Sequence, residues 1–218
     1  MPPYERNDST SKRLLREAET LFASKGYHAV TVREITNAAH CNLAAVNYHF
    51  GNKKNLYLEV FRLQWLLRAR RVHDSFTNTL AEYDGNATPT DIIQALAEAF
   101  IKGPLTDGER LNHAQLMMRE MTKPTEAFEM VAHEILVPFT RTIGKLLEPY
   151  LPGGQDNEHI LLNVLSILAM IIYFNFARLP VSIVTGRTYD DALKERLVQH
   201  IVTFALSGLN IQEEEYSL

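Results

Sequence analysis

"HCNLAAVNYHF", residues 40–50, places two histidines, the single cysteine of the chain and two asparagines on a run of small and apolar residues. Two readings compete for it: a metal-binding loop, or a short helix that presents side chains to something outside the protein. A zinc site wants four Cys, His or carboxylate ligands in pairs set by a turn or by helix spacing. His40 and Cys41 are adjacent, His49 falls on a later turn, and no CxxC or HxxxH pair completes the set, so no metal is expected. The helical reading accounts for more of the residues. A helix over 32–39, a short link and a helix over 43–50 have the form of a helix-turn-helix. His40 stands where the turn calls for positive φ, and His is among the residue types enriched there. Asn42 suits the cap of the second helix. Cys41, Val46 and Phe50 are expected to face inward with Ile35 and Leu21. Ala44 and Ala45 leave room for close approach to a groove, and Asn47, Tyr48 and His49 project outward. Such a helix fits a major groove about 12 Å wide.

The flanking sequence carries helical spacing nearly throughout. Leu14, Leu15, Ala18, Leu21 and Phe22 form one stripe, with Asp8 or Ser9 as a cap and Gly26 just past its end. Thr31-Val32-Arg33-Glu34 is a capping box that starts the helix before the turn. After Gly51-Asn52 a helix carries Leu56, Val60, Leu63 and Leu67 on one face. Thr88-Pro89-Thr90-Asp91 combines an N-cap, a Pro at the first helical position and an acid in the first turn. Asp107 is expected to cap the next helix. Pro124 opens a long one through Leu146, and Pro138 inside it predicts a kink or break. Segments 160–177 and 189–207 supply two more helices, and the terminal "QEEEYSL" is expected to fray. No strand alternation appears. The expected fold is all-α with about nine helices: an N-terminal three-helix helix-turn-helix domain over residues 1–70, joined to a helical ligand-binding and dimerisation domain over 71–218.

Charge separates the same two parts. Residues 1–71 carry 12 Lys and Arg against 6 Asp and Glu, and residues 72–218 carry 10 against 20. A basic front on an acidic rear suits a nucleic-acid-facing part attached to something else. One cysteine excludes an intrachain disulfide framework and fits a reducing, cytoplasmic setting. The N-terminus shows no apolar signal segment. Residues 160–177, "ILLNVLSILAMIIYFNFA", run without a charge and are just long enough to raise a transmembrane reading. They include Asn163, Ser166 and Asn175 and have no comparable second segment, so a buried helix, at a subunit interface, is the preferred reading, with no membrane partner. No phosphate-binding Gly loop, GxSxG or HExxH is present, so neither an enzyme nor a cofactor is expected.

Residues 27–56, "YHAVTVREITNAAHCNLAAVNYHFGNKKNL", resemble the N-terminal domain of TetR-family transcriptional regulators. Gly26-Tyr27, Thr31, Ala39, His49-Phe50 and Lys53 match the family pattern. His40 replaces its turn Gly, Asn42 its Ser/Thr cap, and Asn47 its usual Tyr. "HAQLMMREMTKPTEAF" (113–128) and "LSILAMIIYFNFAR" (165–178) are similar to the CecR-like branch of that family, a subgroup linked to efflux and drug tolerance.

Laid onto matching positions, the resemblance implies a homodimeric, ligand-responsive repressor of a palindromic double-stranded DNA operator, controlling efflux or drug-tolerance genes. Thr31, His49 and Lys53 would contact phosphates, with Tyr48 and Lys54 beside them. Arg33 and Asn47 would reach base edges, Leu43 and Ala45 would offer apolar contact to thymine methyls, and Asn42 belongs to the same face. The alternatives stay open: Arg33 paired with a neighbouring Glu, Asn47 solvated, His49 bracing its helix. A low-specificity DNA-architectural protein is the rival function. The resemblance also implies a small-molecule effector pocket, for which Trp65, Phe100, Met117, Met118, Met121, Phe128, Phe139, Tyr173 and Phe174 are the candidates. The same residue types at helical spacing serve equally as plain core.

Overall fold

Threonines set the starts of three helices in one way. The Thr31 hydroxyl accepts the Glu34 amide at 3.1 Å while the Glu34 carboxylate accepts the Thr31 amide at 2.8 Å. Thr88 with Asp91, and Thr106 with Glu109, make the same reciprocal box. Thr106 thereby takes the capping role expected of Asp107, which becomes the first helical residue.

The structure is a computed structural model that describes residues 3–152 and 156–211. Among them lie twelve α-helices: α1 (Pro3–Lys25), α2 (Val32–Ala38), α3 (Ala44–Phe50), α4 (Lys53–Val60), α5 (Leu66–Ala81), α6 (Pro89–Ile101), α7 (Asp107–Thr122), α8 (Glu126–Val131), α9 (Val137–Leu147), α10 (Asn157–Phe176), α11 (Arg178–Thr185) and α12 (Asp191–Leu209). α4 runs into α5 through a π turn, Phe61–Trp65, and α8 into α9 through another, Ala132–Leu136, so the twelve make ten rods. No strand occurs among the described residues. The all-α expectation holds; the rod beyond the expected nine is α11. Its limits were present in the sequence as Pro180 in its first turn and Gly186 at φ 64 after its end. The charge-free run hid the break at Ala177, whose ψ of 41 ends α10.

Both interruptions have consequences for which residues are buried. A π turn inserts one residue into the helical repeat and rotates the residues C-terminal to it. The stripe expected through Leu63 and Leu67 therefore turns outward, at 43% and 48% exposure, and Phe61, Trp65, Leu66 and Ala69 take its place in the core. The break expected at Pro138 is the second π turn, directly before it. Proline has no amide to donate and its ring crowds the carbonyl four residues back, and the wider turn relieves both. At the N-terminus, α1 already includes positions 8 and 9, where its start was expected. The "QEEEYSL" tail lies outside the described residues.

Packing groups the helices into two compact units. The first comprises Met1–Ala69 and Thr106–Ile135, the second Arg70–Leu105 and Leu136–Leu218. One boundary falls at 69/70, one residue before the 70/71 division expected from the sequence. Segment 106–135 joins the first unit because Leu116, Ala127 and Val131 are buried in its core. There α1 is central, packed against α4 and α7, with Leu14, Phe22, Ile35, Val46, Leu56 and Phe61 fully buried. In the second unit α6 packs on α12, α10 and α9, around Ile93, Leu96, Ile143, Val164 and Ile201.

The first unit also buries charge. Arg68 forms a bidentate pair with Glu19, the two residues 8% and 2% exposed, and its Nε lies 3.6 Å from Glu109. Beside this pair the His113 ring stacks on Trp65 at 4.1 Å, and the Trp65 indole N–H donates to the His113 carbonyl at 3.0 Å. Burial, and then the Arg68 guanidinium, drive the His113 imidazole down to about 3, so it is neutral at physiological pH. Removing one partner of a buried pair leaves an uncompensated charge. Arg68→Met should therefore destabilise the protein by about 3–5 kcal/mol, read from its urea unfolding midpoint, and Glu19→Leu added to it should restore much of the loss.

Candidate nucleic-acid interface

The α2–α3 corner is built on three local devices. His40 adopts φ 50, as its place in the turn requires, and its amide donates to the Asn37 carbonyl at 3.1 Å. Cys41 continues the turn by donating to the Thr36 carbonyl at 3.0 Å. Arg13 of α1 donates from Nε to the Ala39 carbonyl at 3.2 Å, satisfying the C-terminal end of α2. Val46 and Ile35 are fully buried, and Cys41, Phe50 and Leu21 pack partly buried on the same core, as the inward face was expected to do; Ala45, expected on the groove side, packs partly buried there too, and Ala44 is the exposed one of the two. The expected Asn42 cap is not made. α3 begins after Leu43 without a side-chain cap bond, and the Asn42 carbonyl accepts the Ala45 amide at 3.1 Å instead. Leu43 is already helical at φ −60, ψ −31, so the start tightens into a backbone turn that leaves the Asn42 side chain exposed.

The outer face gathers the residues singled out from the sequence. Asn42, Leu43, Asn47 and Tyr48 are exposed, Leu43 at 58% and Tyr48 at 73%. His49 is half-buried, with the Tyr48 ring edge-on to it at 5.0 Å. Arg33, on α2, is exposed and makes no ion pair among the described residues. Its neighbour Glu34 is committed elsewhere: Lys25 donates to one oxygen at 2.9 Å, and the Thr31 amide and hydroxyl donate to the other at 2.8 and 2.9 Å. The Thr31 hydroxyl proton is thus in use within the capping box. Lys53 and Lys54 open α4 behind an Asn52 cap, whose Oδ1 accepts the Asn55 amide at 2.8 Å. Lys53 Nζ sits 4.3 Å from the Tyr27 ring centroid, and partial burial lowers its proton affinity. Lys54 pairs with Glu126 at 2.5 Å.

Sequence reasoning missed the residues that brace this face. Arg119 of α7 donates to the Ala23 carbonyl at 2.9 Å and the Ser24 carbonyl at 2.6 Å, closing the C-terminus of α1. Gly26 follows at φ 85, and a Cβ there would stand 2.9 Å from the Arg119 guanidinium. The Tyr57 hydroxyl donates to buried Glu120 at 2.6 Å. These links join residues far apart in the chain, and no local pattern announces them. Gly26-Tyr27 was the one visible signal.

The nine candidate effector residues do not form one group. Trp65 and Met117 belong to the first unit's core, Phe128 is half-buried in that unit, and Met118 and Met121 are on its surface at 44% and 67% exposure. In the second unit Phe100 and Phe139 approach at 6.3 Å, joined by Phe76 and His73, while Tyr173 and Phe174 lie apart from them on α10, 5.5 Å from each other. The Thr140 hydroxyl next to Phe139 is buried without a hydrogen-bond partner among the described residues. A shallow groove of about 270 Å³ between α6 and α12, lined by Gln94, Glu195, Val198, Gln199, Val202 and Thr203, contains none of the nine. No group of three His, Cys, Asp or Glu side chains is placed to hold a metal ion among the described residues.

The family model for the C-terminal domain of the HTH-type transcriptional dual regulator CecR matches residues 89–209, and that for bacterial regulatory proteins of the tetR family matches residues 14–60. The chain is a TetR-family transcriptional regulator with a CecR-like C-terminal domain. Its relatives include the HTH-type transcriptional dual regulator CecR of Shigella flexneri, 25% identical over 91% of this chain and 90% of the relative. The HTH-type transcriptional repressor KstR2 of Mycolicibacterium smegmatis is 34% identical over 39% of this chain and 44% of its own length. Among solved structures, a tetR-family regulatory protein from Rhodococcus RHA1 aligns with a TM-score of 0.69 at 18% identity, over 94% of this chain and 98% of that one. The TetR-family fold accounts for both units, and the chain is a DNA-binding regulator of transcription.

The capping box that starts α2 makes the corner sensitive to acid. The Lys25 ammonium, then the Thr31 amide, hold the Glu34 carboxyl down to about 2. A depressed carboxyl stabilises fully above its ordinary pKa of about 4.3 and loses that contribution as pH falls through the folded value. The thermal midpoint of Glu34→Gln should lie below wild type at neutral pH, and the gap should close as pH falls from about 4.3 toward 2.

Proposed function

We propose that this regulator is a cytoplasmic repressor that binds a palindromic operator as a homodimer and is released by a small hydrophobic effector. The observation that carries the DNA half is the outer face of α2 and α3. Arg33 on α2 is exposed and makes no ion pair among the described residues, Asn47 and Leu43 are exposed on and before α3, and Lys53 is held over Tyr27 at the start of α4. On this reading Lys53, His49, Tyr48, Lys54 and Thr31 fix the register on phosphates, Thr31 by turning its hydroxyl from Glu34 to the ligand. Arg33 and Asn47 read base edges and Leu43 meets a thymine methyl, whereas Ala45 is taken up by the core beneath. The short side chain of Asn47, where the family usually has Tyr, suits a base contact more than a phosphate contact.

The dimer half rests on α10. Only Ile160, Val164, Ile167, Leu168 and Ile171 of that helix are buried. Leu162, Leu165, Ile172, Tyr173 and Phe176 are exposed on its other side, and Leu179 and Ile183 of α11 prolong the stripe. A lone soluble chain rarely leaves so much contiguous apolar surface bare. This is also the one helix of the described residues long and apolar enough to cross a membrane. Pairing with the same face of a second copy covers it and gives the assembly two reading helices, one for each half of a palindrome. The repressor relative KstR2 supports the sign of regulation, and the proposed efflux or drug-tolerance targets rest on the resemblance to the CecR-like branch alone. For the effector, the Phe76–Phe100–Phe139 cluster with the unpartnered Thr140 hydroxyl suits an apolar molecule with one hydrogen-bonding group. Such a ligand releases DNA only by binding the non-matching conformation more tightly.

Two experiments test this reading. In anisotropy titrations, Lys53→Ala should weaken binding to all duplexes alike and lower the salt slope by about 1, whereas Arg33→Ala should cost about 1–3 kcal/mol on the preferred duplex and little on its scramble. Equal losses on both duplexes for both variants contradict the base-reading role. In sedimentation, Ile172→Glu should turn a dimer into a folded monomer; a wild-type monomer contradicts the α10 interface.

A further inference from the structure

Lys54 does not face solvent as an unoccupied charge. Its Nζ lies 2.5 Å from Glu126 Oε1, with both side chains more than half exposed, at 56% and 58%. Glu126 is the first residue of α8, and its position is built rather than incidental. Thr125 before it caps the helix by accepting the Ala127 amide at 3.1 Å. The Thr125 amide and hydroxyl donate to Glu120 Oε2 at 2.8 and 2.9 Å. Glu120 is itself 1% exposed and accepts the Tyr57 hydroxyl at 2.6 Å. Tyr57 is one turn after Lys54 on α4. The start of α4 is therefore tied twice to the corner between α7 and α8, once through a buried hydrogen bond and once through an exposed ion pair. The buried tie holds the backbone at the start of α8 opposite Lys54, while the two exposed side chains keep their own ordering cost, so the pair is a weak and displaceable one.

A DNA phosphate approaching the start of α4 meets that carboxylate first. It must either displace Glu126 from Lys54 or bind beside a negative charge, and both weaken the contact. We propose that Glu126 is an internal competitor for DNA phosphate at Lys54, which lowers the affinity of the reading face for duplexes of any sequence. The inference rests on the DNA-binding reading of α2 to α4. Its consequence is regulatory: the pair takes one cation out of the sequence-independent binding that phosphate neutralisation drives, and leaves the base contacts of Arg33 and Asn47 untouched. Operator and bulk duplex lose the same contact, so the pair sets overall affinity and its salt dependence and leaves the ratio between sequences unchanged.

The test is a salt series of anisotropy titrations with the full-length protein and a fluorescein-labelled random-sequence duplex. Glu126→Gln should bind about two- to fivefold tighter at low salt, the range an exposed ion pair spans. Its plot of log K against log salt should steepen by about 0.9 for each lysine released. In the Lys54→Met background the same substitution should change neither quantity. Circular dichroism should show unaltered helix content in all variants, since both side chains are exposed. An unchanged affinity and slope for Glu126→Gln overturns the competitor role, and so does a gain that persists without Lys54, which marks a general charge effect. A wild-type protein that is folded yet binds no duplex overturns the DNA-binding reading and this inference with it.

Discussion

α2 and α3 are seven residues each, about two turns, and isolated helices of that length do not persist in water. Every function assigned to them depends on their being held by something else. The burial of Ile35 and Val46 against α1 and α4 holds them. α1 in turn is fixed at its C-terminus by Arg119 and along its length by the Glu19–Arg68 pair. The reading face is thus no more ordered than the core beneath it. That is the physical reason α7 and α8 pack with the first unit. Without them Arg119, Glu120 and Leu116 are missing, and with them the clamp on α1, the tie to Tyr57 and part of the core.

The face itself uses its polar groups twice. Thr31, Glu34, Lys25 and Lys54 are engaged with one another or with Glu126 in the free protein, and the proposed DNA contacts draw on the same atoms. Arg33 and Asn47, the residues proposed to read sequence, have no such side-chain commitments among the described residues. Phosphate contacts on this account are exchanges of one partner for another, each with a small net gain. Base contacts are new bonds. Sequence preference then depends on which residues the fold leaves uncommitted, as much as on which residues it places near the groove.

Local chemistry made much of this legible. The capping box at Thr31, the turn at His40, the inward set of Val46 and Ile35 and the outward set of Asn47 and Tyr48 all come from residue type and spacing within a few positions. Reading failed where the cause was not local. The π turn at Phe61–Trp65 carries no proline and moved the buried stripe from Leu63 and Leu67 to Trp65 and Leu66. The break at Ala177 lay inside an unbroken apolar run. Asn42 had the right chemistry for a cap and lost the place to a backbone turn. Arg119 reaches 95 residues back along the chain, a distance no periodicity registers. The effector candidates show the same limit. Met and aromatic residues at helical spacing fill cores as readily as pockets, and the structure divides the nine between two cores and the surface.

The central claim is that two copies of α3 read the two halves of one sequence. An unbiased binding selection from random duplex DNA with the purified protein at physiological salt tests it most directly. The account predicts an enriched palindrome with half-site centres about one helical turn, about 34 Å, apart. No enriched sequence, together with binding that vanishes as salt rises, would contradict it and leave a low-specificity DNA-architectural protein in its place.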